Sequence, residues 1–325
     1  WGGAILTVVL LGNTASNAVL GKVIGSIILL VGFLYYIRRL INKLDGVSAE
    51  KKVASVRRIA KYSAPMLVTA ISFYIYTHSD ILILQTLIGE TEVGIYGATI
   101  RMLDTLHVPA AAIGSASAAY FVKFKEKSDK NVSKLFYKIT KWTLIIYFPL
   151  TIGLGFTSNE LFPFIFGEEY SRAALVGIIY TPFLLFKSLS ATYSLAMDYM
   201  GYASKRAVLI SISAVINVLL NFLLIPKYGI IGAAIATQIT YVPVVIWYAF
   251  TLGKLSQISL NKLIKNIYSI ILSGLLMGLF IYFLGIYTRI HVLGLVLSGG
   301  VFYIGMVILT GSINKNEIRK FIKTY

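Results

Sequence analysis

RAVLISISAVINVLLNFLLIPKYGIIGAAIATQITYVPVVIWYAFTLGK, residues 206–254, contains two apolar runs, 206–225 and 229–252, and Lys227 at their junction is the one charge between the flanking Arg206 and Lys254. A helix of about 20 residues crosses a hydrocarbon core about 30 Å thick, and each run has that reach. Lipid offers no partner to a peptide group, so runs of this length must be helices rather than open strands. The pattern recurs near 1–12, 15–37, 63–88, 94–121, 138–157, 172–197, 264–286 and 290–311. With 57% hydrophobic residues, 13% charged residues and a mean hydropathy of +0.79 over 325 residues, the chain carries more apolar surface than a soluble core can use. The expected fold class is an all-α, polytopic transmembrane helical bundle. The run at 1–12 begins at Trp1 without an initiator Met or a charged leader and is too short to span, which reads as a chain starting inside a transmembrane helix. A cleaved signal peptide is the alternative, and nothing on the polar side of residue 1 supports it.

A net charge of +17 raises the question of nucleic acid, and the placement of the charge answers it. Lys and Arg gather in alternate connections: 38–62, 122–141, Lys205 with Arg206, 254–265, and the tail after Asn314. The connections between carry Glu90, Glu92, Glu160, Glu168 and Glu169, with Arg172, Lys227 and Arg289 as their only cations. This alternation is a topology signal that places the basic connections and the C-terminal tail in the cytoplasm of a cell carrying the protein in its plasma membrane. Membrane lipids are therefore the expected surroundings, and nucleic acid is not an expected partner. Absence of Cys removes thiolate metal sites, and His78, His107 and His291 are too scattered for a zinc site. No Asp-x-Asp, Gly-x-Ser-x-Gly or Gly-rich phosphate loop is present, so the sequence calls for no enzyme chemistry and no cofactor.

Charge inside the spans carries the functional information, because a charged side chain at the bilayer centre costs at least about 2.5–3.5 kcal/mol and faces protein or water. Lys22, Asp80, Arg101, Asp104 and Lys187 are such residues. At 1.5 Å per residue, Asp80 lies roughly 12 Å below the outer end of its span and Arg101 roughly 10 Å below that of the next. Matched depth on adjacent helices makes an Asp80–Arg101 ion pair one expectation and a substrate role the other. Asp104 and His107 follow Arg101 at intervals of three, ahead of Pro109, which offers a proton or cation site; an Arg101–Asp104 bridge within the helix explains the acid more simply. Lys22 in the outer half of its span and Lys187 in the inner half complete, with Arg101, a cationic track for an anionic diphosphate. Snorkelling to the headgroups is the alternative for both lysines. Most of Tyr74, Tyr76, Tyr96, Tyr120, Tyr180 and Tyr193 read as interface anchors or packing; a cavity-facing subset could stack on sugar rings, and no tyrosine is assigned a binding role.

Asp80-Ile-Leu-Ile-Leu followed by Val93-Gly-Ile-Tyr-Gly-Ala98 resembles the start of the second lobe in polysaccharide flippases of the multidrug/oligosaccharidyl-lipid/polysaccharide exporter superfamily, the O-antigen translocase kind. Leu161-Phe-Pro-Phe-Ile-Phe-Gly-Glu-Glu-Tyr170 and Ile225-Pro-Lys-Tyr-Gly-Ile-Ile-Gly-Ala-Ala-Ile-Ala-Thr237 resemble it too. In the last stretch Pro226 and Gly229 are expected to make the tight outer turn, and Gly232, Ala233, Ala234 and Ala236 give helices small faces for close approach. The resemblance implies a two-lobe transporter working by alternating access. Residues 1–37 would end the first lobe, 38–62 form a basic cytoplasmic loop, 63–253 form the six-helix second lobe, and 254–325 add two helices and a tail. It implies that 63–88 and 94–121 line the cavity, which carries Asp80, Arg101 and Asp104 over as site positions, with Lys22 and Lys187 behind them. The expected activity is flipping a polyprenyl-diphosphate-linked oligosaccharide to the outer leaflet, with H+ or Na+ as a coupling ion and polysaccharide assembly enzymes as partners. A cation-coupled multidrug exporter and a membrane scaffold are the alternatives. Because the chain has no Cys, topology is directly testable: Glu90→Cys should react with an impermeant maleimide on intact cells and Lys130→Cys only after permeabilisation, and the reverse pattern would invert the assigned orientation.

Overall fold

A computed structural model describes residues 15–42, 49–125, 129–255, 260–288 and 290–313. The chain divides into two compact units, residues 1–63 and 64–325. The first holds α1 (Ala15–Asn42) and the opening turns of α2 (Ala49–Leu87). The second holds the rest of α2, then α3 (Glu90–Lys125), α4 (Asp129–Phe166), a short 3-10 turn (Glu168–Tyr170), α5 (Ser171–Tyr199), α6 (Ala203–Tyr228), α7 (Ile230–Leu255), α8 (Leu260–Tyr287) and α9 (Val292–Leu309). No strand occurs among the described residues. The run at 1–12 lies outside them.

Seven helical segments among the described residues are long and apolar enough to cross a membrane: Ser55–Leu87, Val132–Phe166, Glu168–Tyr199, Ala203–Tyr228, Ile230–Lys254, Ile267–Tyr287 and Val292–Leu309. α1 and α3, 28 and 36 residues long, are helical where spans were expected but are not among the seven. For α3 the cause is visible in its residues: Arg101, Asp104 and His107 are joined by Gly94, Gly97, Ser115 and Ser117, which lower its hydropathy. The basic stretches 38–62 and 122–141, expected as connections, are largely helical, with α1 running to Asn42, α2 starting at Ala49, α3 reaching Lys125 and α4 starting at Asp129. Lys, Arg and Ala favour helix, so the spans continue beyond the apolar runs that predict them.

Every one of the seven prolines lies inside a helix. Membrane helices tolerate this where neighbouring helices and side chains re-satisfy the backbone groups that proline frees. Pro226 therefore does not make the α6–α7 turn that the sequence suggests. It belongs to the last turn of α6, and the chain reverses at Gly229, whose φ of 56° is closed to proline.

α5 is the hub of the second unit, packing on α3, α4 and α7, with α6 against α7, α8 against α4, and α9 against α8. Small residues set the closest approaches. A Cβ at Gly114 would lie 2.6 Å from the Ala191 carbonyl oxygen on α5, and one at Gly232 would lie 2.4 Å from the Leu224 carbonyl oxygen on α6. α2 differs, making no extended close backbone approach to another element among the described residues; its links are made by side chains. Gly232→Ala should cost about 1–3 kcal/mol through overpacking, seen as a lower melting temperature in detergent. Gly300→Ala, with open space at its Cβ, should leave the melting temperature unchanged, and equal melting of both variants would contradict the α6–α7 contact.

Candidate functional site

Asp80 projects from α2 into the bundle and is 4% exposed. Its Oδ2 accepts a hydrogen bond from the Tyr96 hydroxyl of α3 at 2.5 Å, and Oδ1 accepts from the Ile81 N–H at 2.8 Å. The expected Asp80–Arg101 ion pair does not form. Arg101 lies five residues past Tyr96, about 140° around α3, and its side chain is exposed. A neutral phenol satisfies the carboxylate without a second charge being buried beside it.

Asp104 does not bridge to Arg101 either. Its Oδ1 accepts from the Lys187 Nζ of α5 at 2.6 Å, with the acid side chain 44% exposed and the lysine 13%. The ammonium also lies 5.5 Å from the Phe183 ring centre, a cation–π distance. Lys187 is thus held inside the bundle rather than snorkelling to the headgroups. His107, one turn after Asp104, turns to α5 as well, its Nδ1 3.3 Å from Ser188 Oγ. Asp104 and His107, expected as a mutual proton pair, each engage α5. Lys22 has a side chain outside the described residues.

Among the described residues no ion pair of Arg101 is found. It belongs to an exposed stripe along α3 with Gly94, Thr105, Val108, Ala112, Ser115, Ala116 and Tyr120. The exposed face of α6 reads Val208, Ile212, Val215, Leu219, Phe222 and Leu223, and that of α9 reads Leu293, Val296, Leu297, Val301 and Ile304. The α6 and α9 faces suit lipid; the α3 stripe, where Gly, Ala, Ser and Thr accompany Val108 and Tyr120 around a guanidinium, is the less apolar face, and its charge suits water.

A buried polar seam was missed in the sequence. Tyr76 on α2 donates to the Thr237 carbonyl at 2.5 Å and accepts from Thr240 Oγ1 at 3.1 Å, both on α7. Asn217 on α6 donates to Thr240 Oγ1 at 3.3 Å, and its Oδ1 accepts from Asn221 at 3.0 Å and from Ser79 Oγ at 3.4 Å. Ser72 and Ser211 join α2 to α6 at 2.7 Å. The available signal was a pair of amides four residues apart in an otherwise apolar run, which carries no formal charge to flag it. Asn221 Oδ1 and Thr237 Oγ1 are buried without a partner. At the two ends of the bundle, Asp198 grips Arg206 through bonds of 2.8 and 2.5 Å, and Glu92 on α3 pairs with Arg172 on α5. Tyr96→Phe should cost about 1–3 kcal/mol by stranding the Asp80 carboxylate. Adding Asp80→Asn should recover part of that loss in thermal unfolding, whereas additive losses would refute the bond.

A family model described as polysaccharide biosynthesis protein matches residues 2–175. A protein of Haloferax volcanii named a probable low-salt glycan biosynthesis flippase is 22% identical over 299 residues, covering 91% of this chain and 63% of that protein. The chain thus spans less than two thirds of that relative. Among solved structures, the lipid II flippase MurJ in an inward closed conformation superposes with a TM-score of 0.66 at 18% identity, over 94% of this chain and 66% of that one. An outward-facing multidrug resistance transporter of the MATE family, in the MOP superfamily, gives a TM-score of 0.53 at 17% identity, over 78% and 60%. The fold is therefore the one these transporters share.

Proposed function

The chain belongs to the polysaccharide biosynthesis protein family, and from that premise we propose that it works in a flippase carrying a polyprenyl-diphosphate-linked oligosaccharide from the cytoplasmic to the outer leaflet. The observation that carries this reading is Arg101, an exposed guanidinium on α3 with no ion-pair partner among the described residues, flanked by the small residues Gly94, Thr105, Ala112, Ser115 and Ala116. Arg101 would hold a phosphate by charge and paired N–H donors, Lys187 would assist, and the polyprenyl tail would stay in the lipid. Lys22 is proposed with them from its place in the sequence alone. Such a protein makes and breaks no covalent bond and needs no cofactor.

Helices α2 to α7 correspond to the proposed second lobe, with α8 and α9 as the added pair. Alternating access would expose the α3 stripe to each side in turn. Orientation with the basic connections and the C-terminal tail in the cytoplasm follows from the charge distribution. Coupling to H+ or Na+ would fall to Asp80, Asp104 and His107. The unpartnered Asn221 Oδ1 and Thr237 Oγ1 belong to the seam that α2 joins through Tyr76 and Ser79, four residues and one residue before Asp80. Polysaccharide assembly enzymes are the natural partners, since the flipped product is their substrate.

A drug exporter of the same fold would favour a free acid for an organic cation. Asp80 is tied to Tyr96 and Asp104 to Lys187, while Arg101 has no ion-pair partner among the described residues, which supports the anionic substrate. Scaffolding without transport would leave the intramembrane charge of α3 unexplained. The deciding experiment is complementation of a flippase-deficient cell by the gene encoding this chain. Wild type should restore surface glycan, and Arg101→Ala should lower it by roughly tenfold or more, the loss of a charge-assisted contact, with lipid-linked precursor accumulating inside. Rescue by Arg101→Ala equal to wild type would sink the cationic site, and drug resistance without glycan rescue would favour the exporter.

A further inference from the structure

We propose that Asp104 is an exchangeable counter-ion: its carboxylate holds the Lys187 ammonium while the site is empty, and a phosphate of the substrate diphosphate takes its place when the site fills. The inference rests on the reading of this site as one for an anionic, lipid-linked diphosphate, and it assigns Asp104 and Lys187 a division of labour that this reading alone does not contain.

The two partners differ in exposure. Lys187, near the middle of α5, is 13% exposed and backed by Phe183; Asp104 is 44% exposed on α3. The cation is therefore the fixed partner, and the acid, already half solvated, is the one that can leave at modest cost. An ammonium at that depth cannot be left bare, because stripping its anion leaves an unpaired charge in a low-dielectric surrounding. Any state in which Asp104 withdraws must bring another anion. A phosphate oxygen has the same sign of charge and accepts the same N–H bond, so the swap trades one anion for another and never exposes a lone buried charge.

Arg101 makes the exchange favourable in one direction. It precedes Asp104 by three residues, about 5–6 Å along the helix surface, and is exposed without an ion-pair partner among the described residues. Two linked phosphates are of that order in length, so one can rest on Arg101 while the other displaces the carboxylate. A lone anion offers no such second contact. The site thereby selects a diphosphate over a single charge.

The helices need not part for this to happen. His107 meets Ser188 at 3.3 Å, and Gly114 lets α3 approach the α5 backbone at Ala191. These contacts keep α3 and α5 together when the Asp104–Lys187 bond opens, so the exchange is a side-chain movement within a fixed helix pair.

The test is calorimetric titration of the purified full chain with inorganic pyrophosphate, beside a melting-temperature measurement for each variant. Asp104→Asn removes the competitor and should tighten binding by roughly fivefold, the worth of a partly exposed ion pair. Lys187→Met should weaken it, and in that background Asp104→Asn should give no gain, which separates exchange from a general loss of negative charge. Arg101→Ala should weaken binding whether or not exchange occurs. If Arg101→Ala weakens binding while Asp104→Asn leaves it unchanged or poorer, exchange is wrong and the anionic site stands. Absence of pyrophosphate binding by wild type, or binding indifferent to Arg101→Ala, overturns the underlying reading and the exchange with it. Should Asp104→Asn fail to fold, Lys187→Met decides alone, since unchanged binding in that variant overturns the proposal.

Discussion

A charge at membrane depth must meet its partner or water, and the Lys187–Asp104 contact at 2.6 Å is where this constraint organises the second unit. It ties α5, the hub that packs on α3, α4 and α7, to α3, the helix whose exposed face carries Arg101. The same requirement appears in neutral form at Asp80, where a tyrosine hydroxyl replaces a countercharge, and at the turn after α5, where Asp198 and Arg206 close on each other. Hydrophobic runs determine that helices cross the membrane; these polar contacts determine which helices are neighbours. Lipid supplies no comparable preference, since tails solvate leucine on any helix face equally well.

Helix identity and spacing were legible because a run of about 20 apolar residues is read without reference to anything else in the chain. Partner choice was not. The expected Asp80–Arg101 pair came from matching depths, and depth supplies one coordinate only. The angle around the helix axis is the other, and it turns Tyr96 toward α2 and Arg101 away. For Lys187 the sequence offered a position in its span but no view of Asp104, which is 83 residues earlier. Asn217 and Asn221 were visible as amides in an apolar run, yet their meaning depends on Thr240 and Ser79, which only folding brings to them. Pro226 misled because its usual role as a helix breaker is relaxed in a membrane, leaving Gly229 to turn the chain.

The second unit therefore has two kinds of surface. α6 and α9 show branched aliphatic and aromatic side chains on their outer faces, while α3 shows mainly Gly, Ala, Ser and Thr, with Val108 and Tyr120, around one guanidinium. Between them stands α2, which reaches α3, α6 and α7 through Asp80, Ser72, Ser79 and Tyr76 rather than through close backbone contact. Polar side-chain contacts can be exchanged without repacking a core, and close glycine contacts such as Gly114 on Ala191 cannot. Rigidity and adaptability are thus divided between the α3–α5 pair and α2.

The sequence distances of the α2 contacts carry a consequence for biogenesis. Tyr76 finds its partners 161 and 164 residues later in the chain, and Ser79 finds Asn217 138 residues later. During synthesis α2 must enter the membrane long before α6 and α7 exist, with the hydroxyls of Ser72, Tyr76 and Ser79 short of their final partners, whereas Asp80 meets Tyr96 as soon as α3 follows. The α6–α7 hairpin has no such wait: Ser213 reaches Thr240 and Asn217 reaches Thr240 within one pair of adjacent helices. The hairpin can hide its own polarity as it leaves the ribosome, and α2 becomes a settled membrane helix only when that hairpin arrives.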